Sequence, residues 1–92
     1  MNKTFEMENE LGLKVRYTIL GVDSSSNEKY IIYTNYIPSD NELGVRLFAG
    51  KLSSENPIVV DDISDIKKKE LIEEFKVEII SSGKKIRRVI YK

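Results

Sequence analysis

Asp61, Asp62 and Asp65 lie within one five-residue stretch, DDISD. Three carboxylates at that density are the raw material of an oxygen site for Ca²⁺ or Mg²⁺. The spacing argues against such a site. A calcium loop carries a central glycine and a final bidentate glutamate across about 12 residues; this stretch lacks that spacing, with no glycine between it and Gly83. Acids and a serine ahead of an apolar-periodic run read instead as N-cap material for a helix. A second constellation is aromatic. Tyr30, Tyr33 and Tyr36 fall in KYIIYTNYI, residues 29–37, and tyrosine is one of the side chains on which single-stranded bases stack. A third is basic. KKIRRVIYK, residues 84–92, holds five positive charges and no acid, a composition that suits phosphate backbones or an anionic membrane surface.

Catalytic chemistry finds little material. The 92-residue chain has no histidine and no cysteine. It therefore lacks the usual general base near neutral pH, the commonest transition-metal ligand and any thiol nucleophile. Glycine-rich phosphate loops and nucleophile elbows are absent as well. No catalytic, metal or cofactor-binding residue is assigned, no small-molecule substrate is indicated, and the protein is read as not an enzyme. No apolar run approaches the roughly 18–20 residues of a membrane span. The N-terminal MNKTFEMENELG has no apolar core of the signal-peptide kind, so the expected location is the cytoplasm.

Net charge is zero, but it is unevenly spread. Eleven acids face six bases through Asp65, and four acids face nine bases from Ile66 onward. Such asymmetry serves either an anionic partner or attraction between the two halves of the fold; attraction within the fold is the preferred reading.

These residues need elements to position them. KTFEMEN (3–9) alternates as a strand does, and Gly12 punctuates. In LKVRYTILGV (13–22), Val15, Tyr17 and Ile19 alternate with Lys14, Arg16 and Thr18, the period of a half-buried strand. A polar loop follows, then EKYIIYTNYI, rich in β-branched and aromatic residues. GVRLFAGKL (44–52) reads as a third strong strand, with Val45, Leu47 and Ala49 on one face and Arg46 and Phe48 on the other. After a turn at 53–56 comes the short extended run 57–60. In KKKELIEEF, Leu71, Ile72, Phe75 and Ile79 make a stripe at helical spacing. Val77 falls off that stripe, so KVEII and IRRVIY are read by preference as a C-terminal hairpin around Ser81–Lys84. The other reading runs the helix to Ile80 with Gly83 as its stop. The expected fold is a single α+β domain over 1–92. It has an antiparallel β meander of about four strands, one amphipathic helix on one face, and a basic C-terminal segment, 84–92.

Between about Tyr17 and Phe75 the chain resembles the small bacterial proteins of domain-of-unknown-function family 1292, the YrzB-like proteins. The resemblance is carried by E-K-Y-I-I-Y after a polar loop, by V-R-L-F-A-G-K, and by N-P-I-V-V-D-D-I-S-D leading into K-E-L-I-E-E-F. It implies a cytoplasmic protein of a low-GC Gram-positive bacterium or a relative, with the same order of elements and no catalytic residues to carry over. Family members are usually strongly acidic, whereas here the helix opens on Lys67-Lys68-Lys69 and a basic segment follows Gly83.

In a strand Tyr30 and Tyr36 share a face and Tyr33 takes the other, so the three rings cannot form one platform. If the helix covers the side of Val15, Tyr17, Ile19, Val45, Leu47 and Ala49, then Lys14, Arg16, Arg46 and Phe48, with Tyr33 or Tyr36, lie on an open face. That face and Lys84, Lys85, Arg87 and Arg88 are the candidate interaction surface. The function expected is a non-enzymatic protein–protein or self-association module. The alternative is a weak nucleic-acid binder working through the basic segment and a basic, aromatic sheet face.

Overall fold

The computed structural model describes residues 3–24, 27–40 and 43–82. Five strands are followed by one helix: β1 (Thr4–Glu8), β2 (Lys14–Asp23), β3 (Lys29–Thr34), β4 (Phe48–Glu55), β5 (Ile58–Asp61) and α1 (Asp65–Ser82). Every strand pairs antiparallel with its neighbour in sequence, in the order β1-β2-β3-β4-β5. The α+β meander with one helix on the sheet is thus the architecture found. The β1–β2 turn is built locally. The Asn9 side-chain oxygen accepts from the Leu11 and Leu13 amides at 2.9 and 3.0 Å. Gly12 takes the left-handed conformation (φ 77°) that the turn requires.

As the middle strand, β3 is covered on both sides: Ile31, Ile32, Tyr33 and Thr34 are all buried. It therefore belongs to two cores. On the helix side, Ile32, Val45, Leu47 and Ala49 pack with Leu71, and Ile72 and Phe75 close over them. On the opposite side, Phe5, Ile31 and Tyr33 pack with Tyr17, Phe48 and Val60. Gly50 belongs to this second layer. A Cβ there would lie 2.5 Å from Val60 Cγ1, so the close approach of β4 and β5 requires glycine. The helix starts where the sequence suggests, but its cap is Ser64. The Ser64 hydroxyl accepts the Lys67 amide at 3.2 Å and its carbonyl accepts the Lys68 amide at 3.0 Å.

Several expectations need correction. Tyr17 and Ile19 belong to the core away from the helix, so the helix does not cover the side on which they lie. A register irregularity between Ile19 and Gly21 is what reverses the strand's outer half. Within it Leu20 packs into the helix-side core, and past it Phe75 of α1 fits against Gly21, where a Cβ would meet the ring at 3.0 Å.

Strand β3 stops at Thr34 instead of continuing to Ile37, because side chains take over the backbone's hydrogen bonds. Thr34 Oγ1 donates to the Arg46 carbonyl at 2.7 Å and accepts the Tyr36 amide at 3.0 Å. Tyr36 itself turns left-handed at φ 62°. Residues 44–47 are consequently not strand. They are tied to 37–39 by the Pro38–Val45 bridge and by Arg46 donating to the Ile37 carbonyl at 2.9 Å. Strand β4 begins at Phe48, runs through the expected turn and ends at Glu55. Finally, 76–80 is helix and not the first arm of a hairpin. Val77 leaves the buried stripe because it faces solvent, 63% exposed, while the helix continues beneath it. The second arm, 86–91, lies outside the described residues.

Candidate interaction surface

The sheet register lines up one aromatic residue on each of four adjacent strands. Phe5 pairs with Tyr17, and Tyr33 pairs with Phe48. Tyr33 is the hub: its ring meets Phe5 and Tyr17 edge-on at 5.2 and 5.3 Å and stacks on Phe48 at 5.5 Å. Tyr33 and Phe48, two candidates from the sequence, are therefore brought together. They come together as a packed interior, with Tyr33 only 8% exposed, and not as an open shelf for bases. Burial pushes the Tyr33 phenol above its ordinary value of 10.0.

The basic candidates lie elsewhere. Lys14 and Arg16 alternate along β2 with Tyr17 and so project from the other face of the sheet. There they stand opposite Glu8 and Glu6 of β1, and Arg16 reaches Glu6 at 3.7 Å. Arg46 is exposed and precedes β4. Lys84, Lys85, Arg87 and Arg88 lie outside the described residues. Lys14 and Arg16 thus do not interleave with the Tyr33 and Phe48 rings.

Other charged groups explain themselves as local structure. Asp62 pairs with Lys68 at 2.8 Å, and that hydrogen bond first, then the Ile63 amide, holds its carboxyl below the usual range. Lys67 sits 4.8 Å over the Tyr30 ring. Lysines that oppose the helix dipole are thereby held by Asp62 and by an aromatic face. No group of three or more metal-ligating side chains occurs among the described residues. Glu28 is the hub of a surface network. It accepts from the Tyr30 hydroxyl at 2.6 Å and from Lys51 at 2.9 Å. The tyrosine bond first, then the Lys51 bond, lowers the Glu28 carboxyl, and the same bond to Glu28 raises the Tyr30 phenol. Glu55 is lowered by its bond to Lys29.

These lowered carboxylates fix the sign of the acid response. Each is more acidic folded than unfolded, so its contribution is present above the unfolded value, 4.5 for Glu28, and is lost as pH falls through the folded one. The melting temperature should decline below pH 4.5, and Glu28→Gln should make that decline shallower. The same variant should bring the Tyr30 phenolate absorbance to lower pH in a titration at 295 nm. An unaltered titration would show that the Tyr30–Glu28 bond does not form in solution.

The sheet's curl leaves an apolar cleft of about 310 Å³ beside the aromatic layer. Ile19 and Val22 of β2 line it together with Leu52 of β4 and Ile58 of β5, and Lys3 and Glu55 are its charged members. Val22 is 56% exposed, a large apolar side chain presented to solvent. No single stretch of sequence reveals this site, because it exists only where three strands converge. The signal available was Gly21 inside an otherwise regular strand, a mark of a bulge or of close approach. No helix among the described residues is long and apolar enough to cross a membrane. Comparison with protein-family models, with curated proteins and with solved structures found no match to this chain.

Proposed function

We propose that this protein is a small non-enzymatic module that acts through protein–protein contact, as an adaptor or regulator. The observation that carries the reading is the apolar cleft of Ile19, Val22, Leu52 and Ile58, with Val22 exposed at its lining. Such a cleft accepts an aliphatic or aromatic anchor from a partner, and buried anchors supply most of the energy of protein interfaces. The resemblance to YrzB-like proteins and a cytoplasmic location belong to the same proposal; the absence of histidine and cysteine supports its non-catalytic part.

The test is retention of a partner, or of a second copy, by tagged full-length protein in nuclease-treated lysate, compared with Val22→Asp. Val22 is half exposed, so the variant should fold with a nearly unchanged melting temperature. The expected result is a partner that survives nuclease and is lost with Val22→Asp. Equal retention by the variant overturns the cleft as the site. Release by nuclease overturns the protein-partner reading in favour of nucleic acid bound through 84–92.

A further inference from the structure

A second cleft, of about 370 Å³, lies between α1 and the β2–β3 pair. Ile32 and Phe75 give it apolar walls, and Tyr30 lines it as well. Every charged residue that lines it is acidic: Asp23, Glu74 and Glu78. Glu74 and Glu78 are four apart on the helix, an arrangement that is repulsive on its own. The neighbouring helix acids differ, since Glu70 and Glu73 pair with Lys67 and Lys76 at 3.6 and 3.7 Å. The cleft thus joins an apolar interior to a one-signed rim.

The chain itself supplies the complementary chemistry. Residues 84–92, KKIRRVIYK, carry five cations among aliphatic residues and a tyrosine. They begin two residues after α1 ends at Ser82. Glu78 and Glu74 lie one and two turns back from that end, about 6 and 12 Å along the helix axis. Nine extended residues span about 30 Å, so the segment can reach the whole cleft once the chain reverses, and Gly83 is the residue type that commonly permits a reversal after a helix.

We propose that the cleft between α1 and the β2–β3 pair is the docking site for the chain's own basic C-terminal segment, 84–92, with Asp23, Glu74 and Glu78 receiving its lysines and arginines. This gives the uneven charge distribution of the chain an internal purpose. The two clefts share Gly21 and Val22 in their linings, but the test changes Glu74 and Glu78, which line only this one, and leaves Val22 untouched.

Trypsin reads the docking directly, because its cleavage sites are Lys84, Lys85, Arg87 and Arg88. The full chain is digested at about 20 mM salt, where surface charges are weakly screened. Its rate of first cleavage in 84–88 is measured by mass spectrometry against the free peptide of residues 81–92. The expected result is protection of the full chain, with Glu74→Lys/Glu78→Lys accelerating cleavage about fivefold, roughly what two exposed ion pairs are worth together. Lysine matches glutamate in helix propensity, so the variant should remain folded by circular dichroism. The control Glu8→Lys/Glu10→Lys changes net charge equally, far from the cleft in sequence, and should leave the rate unchanged. In the unmodified chain, protection relative to the peptide should fade at about 300 mM salt. The proposal is overturned if Glu74→Lys/Glu78→Lys cleaves at the unmodified rate, if the control accelerates it equally, or if protection does not fade with salt. It is also overturned if protection rises with protein concentration, which would place the segment on a second copy.

Discussion

Tyr33→Ala is expected to cost about 3–5 kcal/mol, the range for removing a large ring from a packed core. Small domains have only about 5–15 kcal/mol in total, so the variant should sit close to unfolding at room temperature. The magnitude follows from position. Tyr33 lies on the central strand, is 8% exposed, and touches three other rings at 5.2–5.5 Å. Each ring pair adds about 0.5–1.5 kcal/mol beyond the area it buries, and Phe5, Tyr17 and Phe48 all lose their common neighbour. Tyr33→Phe keeps the ring and should cost less than about 1 kcal/mol. Urea unfolding of the two variants decides what the aromatic row is. A severe alanine effect with a mild phenylalanine effect means a core. A loss below about 1 kcal/mol for alanine would mean that the rings are an open surface after all, and would return the base-stacking reading to consideration.

The order of elements was legible because it depends on local signals. Alternation in β1 and β2, the β-branched and aromatic content of β3, and a stripe at 71, 72, 75 and 79 each reflect a backbone period. Which face each strand turns to the helix is a different kind of information. One bulge after Ile19 exchanges faces within a single strand, and alternation alone does not show where the count slips. The ends of elements were lost for a related reason. Thr34 buries a hydroxyl that both donates and accepts, and only the folded chain shows that its partner is the carbonyl of Arg46. Val77 misled in the opposite sense. A β-branched residue off the apolar stripe reads as a break, yet it is an ordinary solvent-facing helix position whose neighbours carry the packing.

For the candidate surface, residue types were legible and their association was not. Tyr33 and Phe48 do meet, but in an interior, while Arg16 pairs across to Glu6 from the opposite face. A sheet doubles the ways in which the same residues can be grouped, and the grouping decides whether cations and rings act together. Both clefts arise from convergence of segments distant in sequence: β2 with β4 and β5 in one case, α1 with β2 and β3 in the other. No spacing rule within one segment could announce them.

Leu71→Ala is expected to cost about 2–5 kcal/mol and to act on the helix more than on the sheet. Leu71 is the buried anchor of α1, 4% exposed, seated on Ile32, Val45, Leu47 and Ala49. Truncating it leaves a void beneath the helix that Ile72 and Phe75 can only partly fill. The aromatic core on the far side of the sheet does not touch that void. Amide hydrogen exchange should therefore show protection falling furthest across 65–82, with β2 and β3 retaining more of theirs. Val77→Ala is the matching control. It removes two methyl groups from a side chain 63% exposed on the outward face, so stability should move by no more than about 0.5 kcal/mol, with alanine's higher helix propensity offsetting the lost contact. The pair tests the helix's rotation on the sheet. Equal losses at 71 and 77 would mean that α1 presents a different face to the core, and the acid-rimmed cleft built by Glu74, Phe75 and Glu78 would then no longer stand in the arrangement that gives it one sign of charge.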